Sequence, residues 1–366
     1  MALTTNRFTE KAARAEQPKY RLLADHFRSQ MMSHKLVPGS RLPSFAEMRS
    51  QFGVTSNTIE RAYGLLEQEG LIDRRSGSGV YVAQVERVHT GNIGLLIHST
   101  NMAPSYDSTY MQTILDGIRE SSSEQGMKVV LIEDDDAVNP QQLDGILLHS
   151  DKFEINALDI PSHIPQVMLF QHVNSITAVT ANDFSGSKLA TSYLIKRGHR
   201  RIACLMEEFL DIPIQRRGGY YAALQDAGIT VDPKWLRLTE RMWPSDTMNY
   251  LEWGRHNMRA WLEEGWRDLN CTAIVVQNDH SAIGVMQTLQ DAGIDVPGDV
   301  SVIGFDGTHI CDLARPRLTS VEVPLRQIGY EAIKVLCEQI QNGPQEPREI
   351  SLPVKLRDGD SVAKIN

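Results

Sequence analysis

The sequence predicts an α+β head of three helices and a hairpin, followed by an α/β body with parallel sheets. Three observations carry this expectation. The chain's 366 residues exceed what one compact core accommodates, so two or three globular units are expected. Charge is divided unevenly along it. Residues 1–90 hold 13 Lys+Arg against 9 Asp+Glu, a balance of +4, and the rest holds 24 against 37, a balance of −13. The periodicity also changes near residue 90, from short helices of 3.6-residue spacing to alternating strand-like and helix-like runs.

Composition excludes several classes. A hydrophobic share of 41% and a charged share of 23% are those of an ordinary folded domain. No apolar run approaches the roughly 18 residues of a membrane span, and the start lacks the apolar core of a signal peptide. The expectation is a cytoplasmic protein without a membrane partner. Cys204, Cys271, Cys311 and Cys337 show neither CxxC pairing nor zinc-ligand spacing, so buried reduced thiols are expected, with no metal or cofactor. An anionic partner belongs to the basic first ninety residues.

In that segment Tyr20, Leu23, Ala24, Phe27 and Met31 follow the spacing of a helix with one buried face, running to about Ser33 before Pro38-Gly39 breaks it. Ser44-Phe45-Ala46-Glu47 is a capping box that opens a short second helix, and Gly53 supplies its stop. Thr55 caps a third helix with core positions Ile59, Ala62, Tyr63 and Leu66, ending at Gly70. Two helices joined by the Phe52-Gly53-Val54 turn form a helix-turn-helix. Strand-like runs at 71–75 and 80–82 flank Ser76-Gly77-Ser78-Gly79, a hairpin that reads as a wing.

The string LVPGSRLPSFAEMRSQFGVTSNTIERAYGLLEQEGLIDRRSGSGVYVA is similar along its whole length to the GntR-type winged helix-turn-helix. That resemblance implies a third helix in the major groove and a wing tip near the minor groove. Thr55, Ser56, Asn57, Thr58, Arg61, Arg74, Arg75, Gly77 and Ser78 occupy the corresponding positions, with Arg41, Ser44 and Arg49 as further backbone contacts. Members of the family usually carry arginine where this chain has Ala46, Ser56 and Glu60, so the operator sequence does not transfer. Glu60 has two readings: acceptor for a cytosine amine, or partner of a neighbouring arginine.

Beyond a polar connector at 86–91, strands read at 92–98, 128–132, 145–148, 166–170, 178–181, 201–206, 273–277 and 300–305. Helices read at 109–125, 184–196, 216–227, 246–264, 281–292 and 324–341. Ligands of open parallel sheets sit beyond the C-terminal strand ends, which points to Ser99, Gln171, Asn278, Asp279 and Asp306. Asp279 also reads as a helix cap.

The segments LIKRGHRRIACL, RRGGYYAALQDAGI, TAIVVQNDHSAIGVMQTLQDAGIDVPGDVSVIGFDG and RPRLTSVEVPLRQIGYEAIKVL resemble the effector domain of LacI/GalR-type regulators. The resemblance implies a two-lobed, periplasmic-binding-protein-like domain closing on a ligand. Domain boundaries then fall at 1–85 for the head, 86–91 for a linker and 92–366 for the body. The first lobe takes 92–182 and 322–345, the second 183–319 and 346–366, with hinge crossings near Asn182 and Leu318–Val323. Carried over by position, Arg216, Asn278 and Asp306 contact the effector, and Gln171 lies where some sugar-responsive members place an acidic residue. Carboxylate, amide and guanidinium suit adjacent hydroxyls. Trp243, Tyr250 and Trp253 either stack on a sugar ring or pack in the core. Only EDDDAVNPQQLD separates Ile132 from Gly145, which implies a shortened or lost helix, and its acidic run reads as a solvated loop.

A GntR-type head on a LacI-type body resembles the arabinose-repressor type of regulator. It implies a homodimer that binds duplex operator DNA and answers to a sugar or sugar derivative. An enzyme is the first rival, but GxxxxGK, GxSxG, HExxH and GxGxxG are all missing. An exported solute-binding protein would not carry the head. A non-exported sugar sensor with weak or altered DNA binding is the alternative that the three lost arginines keep open.

Overall fold

The computed structural model of the chain describes residues 18–32, 35–75, 77–83, 89–97, 108–132, 142–149, 160, 164–172, 175–208, 211–239, 249–343 and 345–365. Ser99, Trp243, residues 86–88 of the 86–91 connector and the acidic run 133–136 lie outside these residues.

The head follows its sequence pattern closely. Helices α1 (Lys19–Met32), α2 (Phe45–Phe52) and α3 (Ser56–Gln68) are followed by strands β1 (Ile72–Arg75) and β2 (Gly79–Val82). Leu23, Ala24, Phe27, Met48, Ile59 and Leu66 bury one face of each helix in a common core, and the Tyr63 hydroxyl donates to the Pro43 carbonyl at 2.6 Å. The capping box at Ser44 closes reciprocally with Glu47, and Gly53 ends α2 at a φ of 62°, a left-handed conformation that suits glycine.

The body contains two six-stranded sheets. The first has strand order β13-β7-β6-β5-β3-β4, built from β3 (Asn92–Ile97), β4 (Lys128–Ile132), β5 (Gly145–His149), β6 (Gln166–Leu169), β7 (Thr177–Ala181) and β13 (Glu349–Leu352), all parallel. Helices α4 (Ser108–Glu124) and α10 (Leu325–Asn342) pack together against it. The second has order β14-β12-β11-β10-β8-β9, from β8 (Ile202–Glu207), β9 (Leu236–Thr239), β10 (Ala273–Val276), β11 (Ser301–Asp306), β12 (Thr319–Glu322) and β14 (Lys355–Arg357). Its helices are α5 (Asp183–Lys196), α6 (Asp211–Asp226), α7 (Tyr250–Glu263), α8 (Asp279–Asp291) and the short α9 (Ile310–Leu313).

Two expectations need correction. The segment 346–366 does not belong wholly to the second lobe: β13 pairs with β7 in the first sheet, register Ile350↔Val179, and only β14 onward joins the second. The second lobe also keeps β12 through Glu322, so the crossing lies just after it. The chain therefore passes between lobes three times: after β7, after β12 and after β13. A backbone bond from the Asn182 N–H to the Leu352 carbonyl at 2.9 Å ties the first crossing to the third, and one from the Val323 N–H to the Asp306 carbonyl at 3.0 Å ties the second to the end of β11.

Strands β9, β12, β13 and β14 left little trace in the sequence because they are three or four residues long and carry polar side chains; β9, β13 and β14 form sheet edges and β12 lies next to one. Helix α6 starts five residues before Arg216 because Pro213 sits in its first turn, where its missing N–H costs nothing. Within the helix pairs, glycines let backbones meet: a Cβ on Gly254 would lie 2.2 Å from the Ser281 carbonyl oxygen, and one on Gly284 2.2 Å from that of Leu251. Gly64 in α3 faces open space, with nothing within 4 Å of an added Cβ.

These two environments set opposite outcomes for one substitution. Gly254→Ala should lower the unfolding free energy by about 1–3 kcal/mol through overpacking. Gly64→Ala should raise that of the head by about 0.4–1 kcal/mol by restricting the unfolded chain. Urea unfolding of each variant against the parent checks both signs.

Candidate functional site

On the head, α3 begins at Thr55, whose hydroxyl accepts from the Thr58 N–H at 3.3 Å and lies 2.9 Å from the Thr58 hydroxyl. These two hydroxyls are engaged in building the helix start. Ser56, Asn57 and Arg61 stand exposed beside them, and Arg41 and Arg49 are exposed on the preceding segment and on α2. Gly77 and Ser78 form the exposed wing turn, with the Ser78 hydroxyl 2.7 Å from that of Tyr81. Arg75 stacks over the Tyr81 ring at 4.6 Å. Of the two readings for Glu60, the geometry favours pairing: its carboxylate accepts from Arg74 at 2.6 Å.

In the body, polar side chains gather where β8, β10 and β11 end and α5 and α8 begin. The centre is Arg216 on α6, only 8% exposed. Its Nε donates to Asp183 Oδ1 at 2.7 Å, Nη1 to the Gln277 carbonyl, and Nη2 approaches Asp306 Oδ1 at 3.4 Å. Its guanidinium carbon lies 3.5 Å from the centroid of the Phe305 ring. Burial works against its charge, but Asp183 and Asp306, aided by the Tyr110 phenol of the first lobe, hold its pKa above the ordinary value. Both carboxyls are pushed upward by burial, Asp306 well above its usual range with Asp279 and Asp183 adding to the effect and Arg216 opposing it. Asp306 also adopts a φ of 106°. Such backbone strain in a non-glycine residue costs about 1–3 kcal/mol and clusters at binding sites.

Asn278 caps α8, its Oδ1 accepting from the Ser281 N–H at 2.9 Å, and remains partly exposed beside this cluster. Asp279 does not. It is fully buried, its Oδ2 accepting from the Thr308 N–H at 2.8 Å and the Thr308 hydroxyl at 3.0 Å, and its Oδ1 from the Ser320 hydroxyl. Asp279 therefore stands behind the site, pinning the loop after β11 and strand β12 to α8, and the expectation of an effector contact there is corrected. Burial pushes its pKa up to about 6 against those hydrogen bonds.

The facing wall comes from the first lobe. Phe170, at a φ of 68°, packs between Tyr110 (ring centroids 5.8 Å apart) and His149 (5.6 Å). Gln171 follows it, partly exposed, its N–H donating to the Leu169 carbonyl at 2.9 Å. Trp253 belongs to the second-lobe core at 2% exposure, which decides for packing, while Tyr250 is half-buried at the start of α7. Sequence reasoning missed Asp183, Tyr110 and Phe170. Asp183 had a signal, since Asn182-Asp183 follows β7 as Asn278-Asp279 follows β10. The aromatic wall had none, because its backbone conformation is not readable from residue type. The four cysteines are buried, and burial pushes the Cys204 and Cys271 thiols up to about 12, so they stay protonated.

Comparison with known proteins gives these sites a setting. Residues 191–362 match the periplasmic binding protein-like domain, and residues 19–82 match the gntR family of bacterial regulatory proteins. The HTH-type transcriptional repressor PurR of Vibrio vulnificus is 31% identical over 294 residues, spanning 76% of this chain and 83% of that protein. The arabinose metabolism transcriptional repressor of Geobacillus stearothermophilus is 28% identical over 353 residues, spanning 88% of this chain and 92% of that protein. A solved structure of the transcriptional regulator CelR in complex with cellobiose shares the fold at a TM-score of 0.64 and 22% identity, covering 86% of this chain and 93% of that one. The described helices include none long and apolar enough to cross a membrane. With its gntR-type head and its periplasmic-binding-protein-like body, the chain belongs to the LacI-type family of transcriptional repressors.

Proposed function

We propose that this chain is a cytoplasmic, homodimeric repressor whose operator affinity is set by a sugar or sugar derivative held between the lobes, and that it catalyses no reaction. The buried Asp183–Arg216–Asp306 cluster supports this most strongly. A guanidinium and two carboxyl groups taken out of water, one of them on a strained residue, are costly to maintain for packing alone. Their acceptors and remaining N–H donors suit a ligand with vicinal hydroxyls, and Asn278 adds an amide beside them. Phe170 and Tyr110 offer an apolar face to the C–H side of a sugar ring. The full-length Geobacillus relative is named for arabinose metabolism, which agrees with a pentose or related polyol.

Exposed apolar side chains on a sheet edge support the dimer: Val130 and Leu131 are 43% and 47% exposed on β4, the edge strand of the first sheet. Two copies paired through that edge would set two heads on the two halves of a palindromic operator.

A thermal-shift screen of mono- and disaccharides tests the effector reading: a ligand at a hundred times its dissociation constant should add about 2.7 kcal/mol of stability. Arg216→Ala and Asp306→Asn should each lose that shift and the effector response while still binding operator DNA, read by fluorescence anisotropy. If both variants respond like the parent, the pocket lies elsewhere. Sedimentation should find the parent dimeric, and Val130→Glu with Leu131→Glu should shift it towards monomer; an unchanged dimer would move the interface to another face.

A further inference from the structure

The wing arginine Arg74 is engaged by two carboxylates of α3. Strand alternation places it on the same face of β1 as Ile72, which is 2% exposed against the helices of the head, so its side chain crosses to α3. There Nη1 meets Glu60 at 2.6 Å and Nε meets Glu67 at 2.8 Å. Glu60 and Glu67 lie seven residues apart, on one stripe of the helix, with Gly64, which has no side chain, between them. One guanidinium thus serves two carboxylates, and the trio carries a net negative charge. Arg75, one residue on, leaves by the opposite face to stack on Tyr81. By contrast, Arg49 and Arg61 have no ion pair among the described residues.

We infer that Glu60 and Glu67 clamp Arg74 against the recognition helix, withdrawing it from the phosphate backbone and lowering the head's affinity for DNA of any sequence. Glu60 then acts as a positioning residue for the wing rather than as a reader of cytosine. The clamp is exposed, with Arg74 31% and Glu60 54% accessible in their side chains, so it is open to competition and to mutation without disturbing the core. Its consequence is electrostatic. Each phosphate contact contributes about 0.9 to the slope of log affinity against log salt, so an arginine held off DNA is missing from that slope.

The test uses the full-length protein and a labelled random-sequence duplex, with anisotropy read across a salt series, so no operator or effector is needed. In the parent background Arg74→Ala should leave affinity within about twofold and the slope unchanged, since the arginine makes no phosphate contact. Glu60→Gln combined with Glu67→Gln should bind roughly three- to tenfold tighter at about 0.1 M salt, with a slope steeper by about 0.9. Adding Arg74→Ala to that pair should return the slope to the parental value. A shallower slope for Arg74→Ala alone would overturn the clamp, because the arginine would already be on DNA. Retention of the full gain by the triple variant would also overturn it, by showing that loss of two negative charges suffices. A parent that binds no duplex in a salt-dependent way would reject the DNA interface itself, and the clamp with it. Thermal unfolding of each variant confirms that the head is intact.

Discussion

A guanidinium almost wholly removed from water needs its charge balanced from every direction, and Arg216 imposes that demand on the body of this protein. Asp183 comes from the start of α5, Asp306 from the end of β11, and the Gln277 carbonyl from just beyond β10. Segments more than a hundred residues apart in sequence must converge within hydrogen-bonding distance. The parallel sheet achieves this, because it brings the C-terminal ends of its strands to one edge. Asp279, immediately behind, uses both its oxygens to hold the loop after β11 and strand β12 in place, so Asp306 keeps a backbone conformation it would not choose alone.

The head solves a different electrostatic problem. It binds a polyanion with a surplus of only four positive charges over the first ninety residues, and three arginines usual at such positions are replaced by Ala46, Ser56 and Glu60. Few exposed cations stand near α2 and α3, Arg41, Arg49 and Arg61 among them, so an intramolecular pairing such as that of Arg74 with Glu60 and Glu67 engages a large fraction of the total. In the proposed dimer, two such heads held in register on paired half-sites would bind more tightly than either alone.

Much of this was legible in the sequence wherever a local rule decides. The capping box at Ser44, the glycine at 53 and the core spacing of Ile59, Ala62, Tyr63 and Leu66 fix the head from nearest-neighbour physics. Asn278 and Asp306 stood out as polar residues after buried strands, whereas Arg216, inside a helix, was marked only by the resemblance to the LacI/GalR-type effector domain. Tertiary context decided the rest. Strand β13 is a short, half-exposed run whose sheet is chosen by its neighbour β7, and no pattern within residues 346–366 could assign it. Asp279 and Asp306 read alike in sequence, yet one faces the cleft and the other is enclosed, a distinction made by Thr308 and Ser320 arriving from elsewhere. Phe170 depends on a left-handed backbone that its residue type disfavours.

The same tertiary context joins the ligand cluster to the relation between the lobes. Asp183 is the first residue of α5, directly after the first crossing, and the Asn182 before it bonds to Leu352 at the third. The backbone carbonyl of Asp306 accepts from Val323, the first residue past β12 on the second crossing. Residues of the proposed effector cluster are thus adjacent or hydrogen-bonded to the segments that cross between the lobes. A ligand shifts a conformational equilibrium only by its difference in affinity between the two arrangements. One that engages both the Asp183–Arg216–Asp306 cluster and the Phe170–Tyr110 wall gains most where the lobes stand at one particular separation. In the proposed function such a ligand would bias the angle between the lobes through these contacts themselves.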